Sequence, residues 1–204
     1  MAAFIGMDES ASNEELMLAY RAGDARAFEL LYTRHKGPLY RYMLRSAGTA
    51  AVTEELFQDV WMSLIRARER YEVRAKFTTW LYRLAHNRIV DHYRRNQASA
   101  TLADEDAIES AADEPFREPD NELDRRRLAR EIMGQLALLP DAQREVFLLR
   151  HEAGLSLDDI AEVTGVDAET AKSRLRYALA KLRRALAPHA ETNRAPRARD
   201  SDRG

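Results

Sequence analysis

Residues 103–124, ADEDAIESAADEPFREPDNELD, hold ten acids, one arginine and two prolines, Pro115 and Pro119. Such a segment cannot bury enough apolar surface to offset the entropy lost on ordering it. It reads as a flexible acidic linker, and it divides the chain into two parts that must each build a core. It also hides the charge of its neighbours. The 204-residue chain has a formal net charge of only −2, because the acidic stretch offsets basic surfaces on either side.

Both flanking parts read as helical. The chain has only eight glycines and six prolines, and no period-two strand pattern of any length occurs. The expected fold is therefore all-α, with one helical domain at 12–96, a linker at 97–121, a second helical domain at 122–187 and a disordered tail at 188–204. In the first domain Ser12 and Glu15 form a capping-box signature, and Asp24 caps the next helix. Pro38 is expected to open a third helix, LYRYMLRSAG. A helix at about 50–67 carries Leu56, Val60, Leu64 and Ile65 on one stripe, and a last one spans about 76–96. In the second domain helices are expected at about 122–137 and after Pro140. Ser156 and Asp159 then cap a short helix ended by Gly165, and Asp167 caps a longer one that Pro188 should stop.

The last two helices have the helix-turn-helix pattern. Residues 170–186, TAKSRLRYALAKLRRAL, contain six cations and no acid. Ala171, Leu175, Ala178, Leu179, Leu182 and Leu186 share the inward face. Ala161 is small enough to let the preceding helix approach. Thr170, Lys172, Ser173 and Arg176 lie on the opposite face, where side chains of these types can donate to base edges in a major groove. Arg174, Lys181 and Arg184 are placed for phosphates, beside the positive end of a capped helix. A basic amphipathic helix on its own fits a solvated surface equally well. The turn, the cap and the excess of cations together favour duplex DNA.

Other chemistries find little support. No dinucleotide fingerprint, phosphate loop, zinc-protease pair or serine elbow occurs, and His35, His86, His92, His151 and His189 lack ligand spacing. No enzyme activity, metal or cofactor is expected. The chain has no cysteine, which fits a reducing compartment. MAAFIGMDES lacks the basic and apolar segments of a secretory signal. No run approaches the roughly 20 apolar residues of a membrane span. A cytoplasmic protein is expected.

LPDAQREVFLLRHEAGLSLDDIAEVTGVDAETAKSRLRYALAKLR closely resembles the promoter-reading region of bacterial extracytoplasmic-function sigma factors. AFELLYTRHKGPLYRYMLR, EELFQDVWMSLIRA and KFTTWLYRLAHNRIVDHYRR independently resemble the family's region-two domain. The resemblance implies that the second domain reads the promoter −35 element through Thr170, Lys172, Ser173, Arg174, Arg176 and Tyr177, with Arg150 on a phosphate. Tyr177 stands where many members have a small or basic residue, which implies an altered promoter preference. It implies that the first domain melts and reads the −10 element through Arg83, Asn87, Arg88, Asp91, Arg94 and Arg95, the loop at 69–76 accepting a flipped base. It further implies that Gln58, Asp59 and Trp61 contact the β′ clamp helices of core RNA polymerase, although core packing suits Trp61 as well. Promoter DNA and an anti-sigma factor are the other partners implied. A stand-alone dimeric regulator would use the same helix-turn-helix on palindromic sites, but leaves the region-two resemblance unexplained.

Overall fold

The computed structural model describes the backbone over residues 10–100 and 121–192, and the side chains over 10–97 and 129–187. The described residues are helical, with no strand among them. The first domain comprises α1 (Asn13–Arg21), α2 (Ala25–Ala47), α3 (Ala50–Ala67) and α4 (Phe77–Ala100), with a single 3-10 turn at Arg68–Arg70. The second comprises α5 (Asn121–Ala137), α6 (Asp141–His151), α7 (Leu157–Thr164) and α8 (Ala168–Thr192). Most of the expected linker, and the tail beyond Thr192, lie outside the described residues.

The caps sit where the sequence puts them. Ser12 and Glu15 close a reciprocal capping box on α1, and Asp24 accepts from the Arg26 amide at 2.9 Å to start α2. Two prolines behave differently from expectation. Pro38 does not open a helix but lies inside α2, which runs unbroken from Ala25 to Ala47. A proline removes one hydrogen bond at a cost of about 3 kcal/mol. Here Ala27, Leu31, Leu39, Tyr42 and Met43 are all buried on one stripe that spans it. Burying the large side chains of Leu31 before it and of Leu39, Tyr42 and Met43 after it offsets one lost bond. Pro188 likewise lies within α8, which continues to Thr192.

Packing also departs from the picture of two independent bodies. Buried residues of the first domain (Leu16, Leu31, Tyr42, Val60, Phe77, Leu81) join those of α6, α7 and the start of α8 (Val146, Leu149, Ile160, Ala161, Ala171) in one continuous core. A smaller cluster of Leu136, Leu139, Ala178 and Leu182 fastens α5 and α6 to the middle of α8. The helix-turn-helix is thus packed against α4 rather than held away from it.

Candidate nucleic-acid interface

The helix-turn-helix is built by local chemistry. Ser156 and Asp159 form a capping box at the start of α7, and Gly165 ends it in the left-handed region at φ 69°. That conformation carries little penalty for glycine and a real one for a residue with a Cβ. Asp167 then caps α8, accepting from the Thr170 amide at 2.7 Å and from the Thr170 hydroxyl at 2.7 Å. The amide and hydroxyl of Thr170 hold the Asp167 carboxyl below the usual range. This refines the expectation for Thr170. Its hydroxyl proton is already donated, so towards a base edge it is left as an acceptor.

The other expected −35 residues follow on α8. Lys172 is exposed and loosely paired with exposed Glu169 at 3.2 Å, a contact that bound DNA can displace. The Arg176 guanidinium lies 5.2 Å from the centroid of the Tyr177 ring, and Tyr177 is itself exposed. A cation resting on an aromatic face keeps its charge and loses rotamer freedom. Ser173 and Arg174 are partly covered. Arg150 is used internally: its Nη1 donates to the Leu155 carbonyl at 2.7 Å and holds the turn between α6 and α7.

In the first domain the residues expected at the −10 element separate into two groups. Arg83, Asn87, Asp91 and Arg94 are exposed along α4. Arg88 points back into the domain, where Nη2 donates to Ser63 Oγ at 2.9 Å, and the exposed Arg95 donates to the Asp91 carbonyl at 3.2 Å. A helical turn of 100° per residue explains the split: Arg88 lies about 140° around α4 from Arg83. The loop before α4 forms one wall of a cleft of about 340 Å³, lined by Arg70, Tyr71, Arg74, Trp80, Arg83 and, from α7, Glu162. Arg21 holds that loop by donating to the Tyr71 carbonyl at 2.7 Å, and burial pushes the Tyr71 phenol up to about 12.

On α3, Gln58 and Asp59 are exposed, but Trp61 is only 5 % exposed. Its ring packs against Phe28, Tyr32 and Phe57 at centroid distances of 5.9, 4.9 and 6.1 Å. The indole is core, and of the three residues expected at the polymerase contact Gln58 and Asp59 are the exposed ones.

Sequence reasoning missed a third set of residues, those joining the domains. Glu145 accepts from the buried Tyr42 hydroxyl at 3.1 Å and lies 2.6 Å from His86 Nδ1. A carboxylate only accepts, so the His86 proton sits on Nδ1. Burial, together with the Glu145 charge, raises Tyr42 and keeps its phenol protonated. Glu152 pairs with Arg41 at 2.8 Å and with Arg45. Asp159 accepts from Lys76 Nζ at 2.8 Å and Thr79 Oγ1 at 3.0 Å, and Glu162 stands 3.7 Å from Arg83. No local sequence signal marks these pairs. Among the described residues no cluster of acids and histidines could hold a metal, and no helix is long and apolar enough to cross a membrane.

A fold of this kind, with a capped helix-turn-helix in one module and a basic helix beside a cleft in the other, defines a two-module DNA-binding protein. The family model "Sigma-70 region 2" matches residues 31–99, and "Sigma-70, region 4" matches residues 129–182. ECF RNA polymerase sigma factor SigM of Mycobacterium tuberculosis is 31% identical over 175 residues, covering 86% of this chain and 85% of the relative. RNA polymerase sigma factor CarQ of Myxococcus xanthus is 32% identical over 173 residues, covering 83% of this chain and 95% of the relative. The sigma factor RpoE of Bartonella quintana, solved in complex with the anti-sigma factor NepR, shares the fold at 23% identity. Its TM-score is 0.68, over 80% of this chain and 98% of that one. The chain belongs to the extracytoplasmic-function family of RNA polymerase sigma factors, which direct transcription initiation at specific promoters.

Proposed function

We propose that the division of labour within this sigma factor follows the two exposed basic surfaces. Lys172, Arg176 and Tyr177, with Thr170 accepting and Ser173 and Arg174 beside them, read the −35 element. Arg83, Asn87, Asp91 and Arg94 line the path of the −10 strand, and the cleft between Arg70, Tyr71, Arg74 and Trp80 takes a flipped base. Arg88 and Arg95 contribute to this surface mainly by fixing α4. Gln58 and Asp59 dock on the polymerase clamp helices. The factor works in the cytoplasm and performs no chemistry of its own; the polymerase active site does that. The observation that carries this reading is the exposed Lys172 and Arg176 on a capped second helix directly after the Gly165 turn. Sequence-specific base contacts of this type are worth about 1–3 kcal/mol each.

Run-off transcription with core RNA polymerase tests the reading. Discrete starts should require the protein and fall by about a hundredfold when Lys172→Ala and Arg176→Ala are combined. Protection of palindromic duplex by the protein alone, with no stimulated transcription, would replace it with a dimeric regulator. Control by an anti-sigma factor is part of the proposal, on the strength of the family. Affinity capture of the factor from its native cells should return a second, non-polymerase protein in stoichiometric amount; recovery of polymerase alone counts against it.

A further inference from the structure

Among the described residues, the side-chain hydrogen bonds and ion pairs that join the domains share one polarity. In each, the group on the first domain is a cation, a histidine or a hydroxyl, and the group on the second is a carboxylate. Arg41, Tyr42 and Arg45 of α2, Lys76 just before α4, and Thr79, Arg83 and His86 in the first half of α4 meet Glu145, Glu152, Asp159 and Glu162. The four positions 76, 79, 83 and 86 fall on a single helical stripe. Asn87 and Arg94 continue that stripe beyond the contact. So α6 and α7 lie along the half of the α4 stripe nearest the cleft, and Glu162 forms part of the cleft wall opposite Arg70 and Arg74.

A row of carboxylates on a row of cations is what a nucleic-acid backbone would present to the same surface. We infer that this arrangement is a self-closed resting state. The acids of α6 and α7 stand in for promoter DNA on the first domain, and the covered part of the α4 stripe, from Lys76 to His86, is freed only when the domains separate. The inference rests on the assignment of α4 and the cleft to the −10 element. Closure is held by the shared core and by two buried hydroxyls, Tyr42 and Thr79, that find acceptors in Glu145 and Asp159. Arg41, Lys76 and Arg83 are exposed and contribute contacts that salt and competing phosphates weaken. That combination is closed at rest and displaceable.

The absence of cysteine makes the test direct. Cysteines placed at the exposed positions Thr33 of α2 and Ala180 of α8 would carry spin labels for dipolar distance measurement on the full chain. The free protein should give one narrow, short distribution. Combining Glu145→Gln, Glu152→Gln and Glu162→Gln should broaden and lengthen it. The same triple variant should bind a fluorescein-labelled single-stranded DNA oligonucleotide of mixed sequence about tenfold tighter, because the competent state is no longer a minor one. Glu29→Gln, Glu54→Gln and Glu55→Gln remove equal charge away from the contact and should leave both readings at the parent value. Glu152→Arg should open the pair, and adding Arg41→Glu should close it again. A broad, long distribution in the parent overturns the inference, as does unchanged oligonucleotide binding in the opened variant. Run-off transcription by the parent stands apart. Its failure would sink the sigma-factor assignment of α4, whereas transcription together with unchanged oligonucleotide binding would sink closure alone.

Discussion

Trp61→Ala should lower the stability of the first domain by about 3–5 kcal/mol, whereas Asp59→Arg should leave stability within about 0.5 kcal/mol and abolish stimulated transcription. The two residues are two positions apart on α3 and have opposite environments. Trp61 sits in a ring of Phe28, Tyr32 and Phe57, where three edge-on aromatic contacts add to the area it buries. Its Nε1 is buried with no hydrogen-bond partner, so Trp61→Phe removes an unsatisfied donor and should cost far less than the alanine change. Asp59 is exposed, and its backbone carbonyl accepts from Ser63 Oγ at 2.7 Å. Urea titrations followed by far-UV ellipticity give the stabilities; core-polymerase binding below the unfolding transition gives the docking. A fully stable Trp61→Ala protein that no longer binds polymerase would return the indole to the docking surface. Retained transcription by Asp59→Arg would remove α3 from it.

How far the sequence reveals this molecule depends on the range of each interaction. The caps of α1, α2, α7 and α8 act within three residues, so Ser12, Asp24, Ser156 and Asp167 could be read directly, and Gly165 marked the turn. Pro38 misleads because the rule for proline is local while the force that overrides it is not. The stripe from Ala27 to Met43 is held by burial against other helices. Trp61 was ambiguous for a related reason: an aromatic beside an exposed acid suits a docking face and a core equally, and only its neighbours on α2 decide. The inward hydrogen bond of Arg88 is partly legible, since its angular position on α4 separates it from Arg83 and Asn87. The contact between domains was not legible at all. His86 and Glu145 are 59 residues apart, and Lys76 and Asp159 are 83 apart. The acids that meet the first domain look, one helix at a time, like ordinary solvated positions.

Asp159 joins these two scales, and replacing it should have the second large effect. Its carboxylate caps α7, accepting from Ser156 Oγ at 2.6 Å and from the Ser156 amide at 3.2 Å, and it holds Lys76 and Thr79 across the domain contact. Loss of the cap costs about 1 kcal/mol. Loss of the acceptor for the fully buried Thr79 hydroxyl costs about 1–2 kcal/mol more. The exposed Lys76 pair adds little. Asp159→Ala should therefore destabilise the protein by about 2–3 kcal/mol near neutral pH and lengthen the distance between the domains. Partial burial pushes the Asp159 carboxyl up, but the hydrogen bonds from Lys76, Ser156 and Thr79 outweigh it and bring the value to about 2, against an ordinary 3.8. A carboxyl depressed in the folded state stabilises fully above its unfolded value and loses that contribution as pH falls through the folded one. The gap between parent and Asp159→Ala should accordingly be constant above about pH 5 and narrow between about pH 4 and pH 2. Asp159→Asn keeps an acceptor oxygen in the same place without the charge. It should recover part of the stability at neutral pH and show none of the narrowing that comes from this carboxyl. Urea midpoints for the three proteins across that range are the measurement. A gap that stayed constant down to about pH 2 would assign the stabilisation to the shape of the cap rather than to the carboxylate that locks α7 onto Lys76 and Thr79.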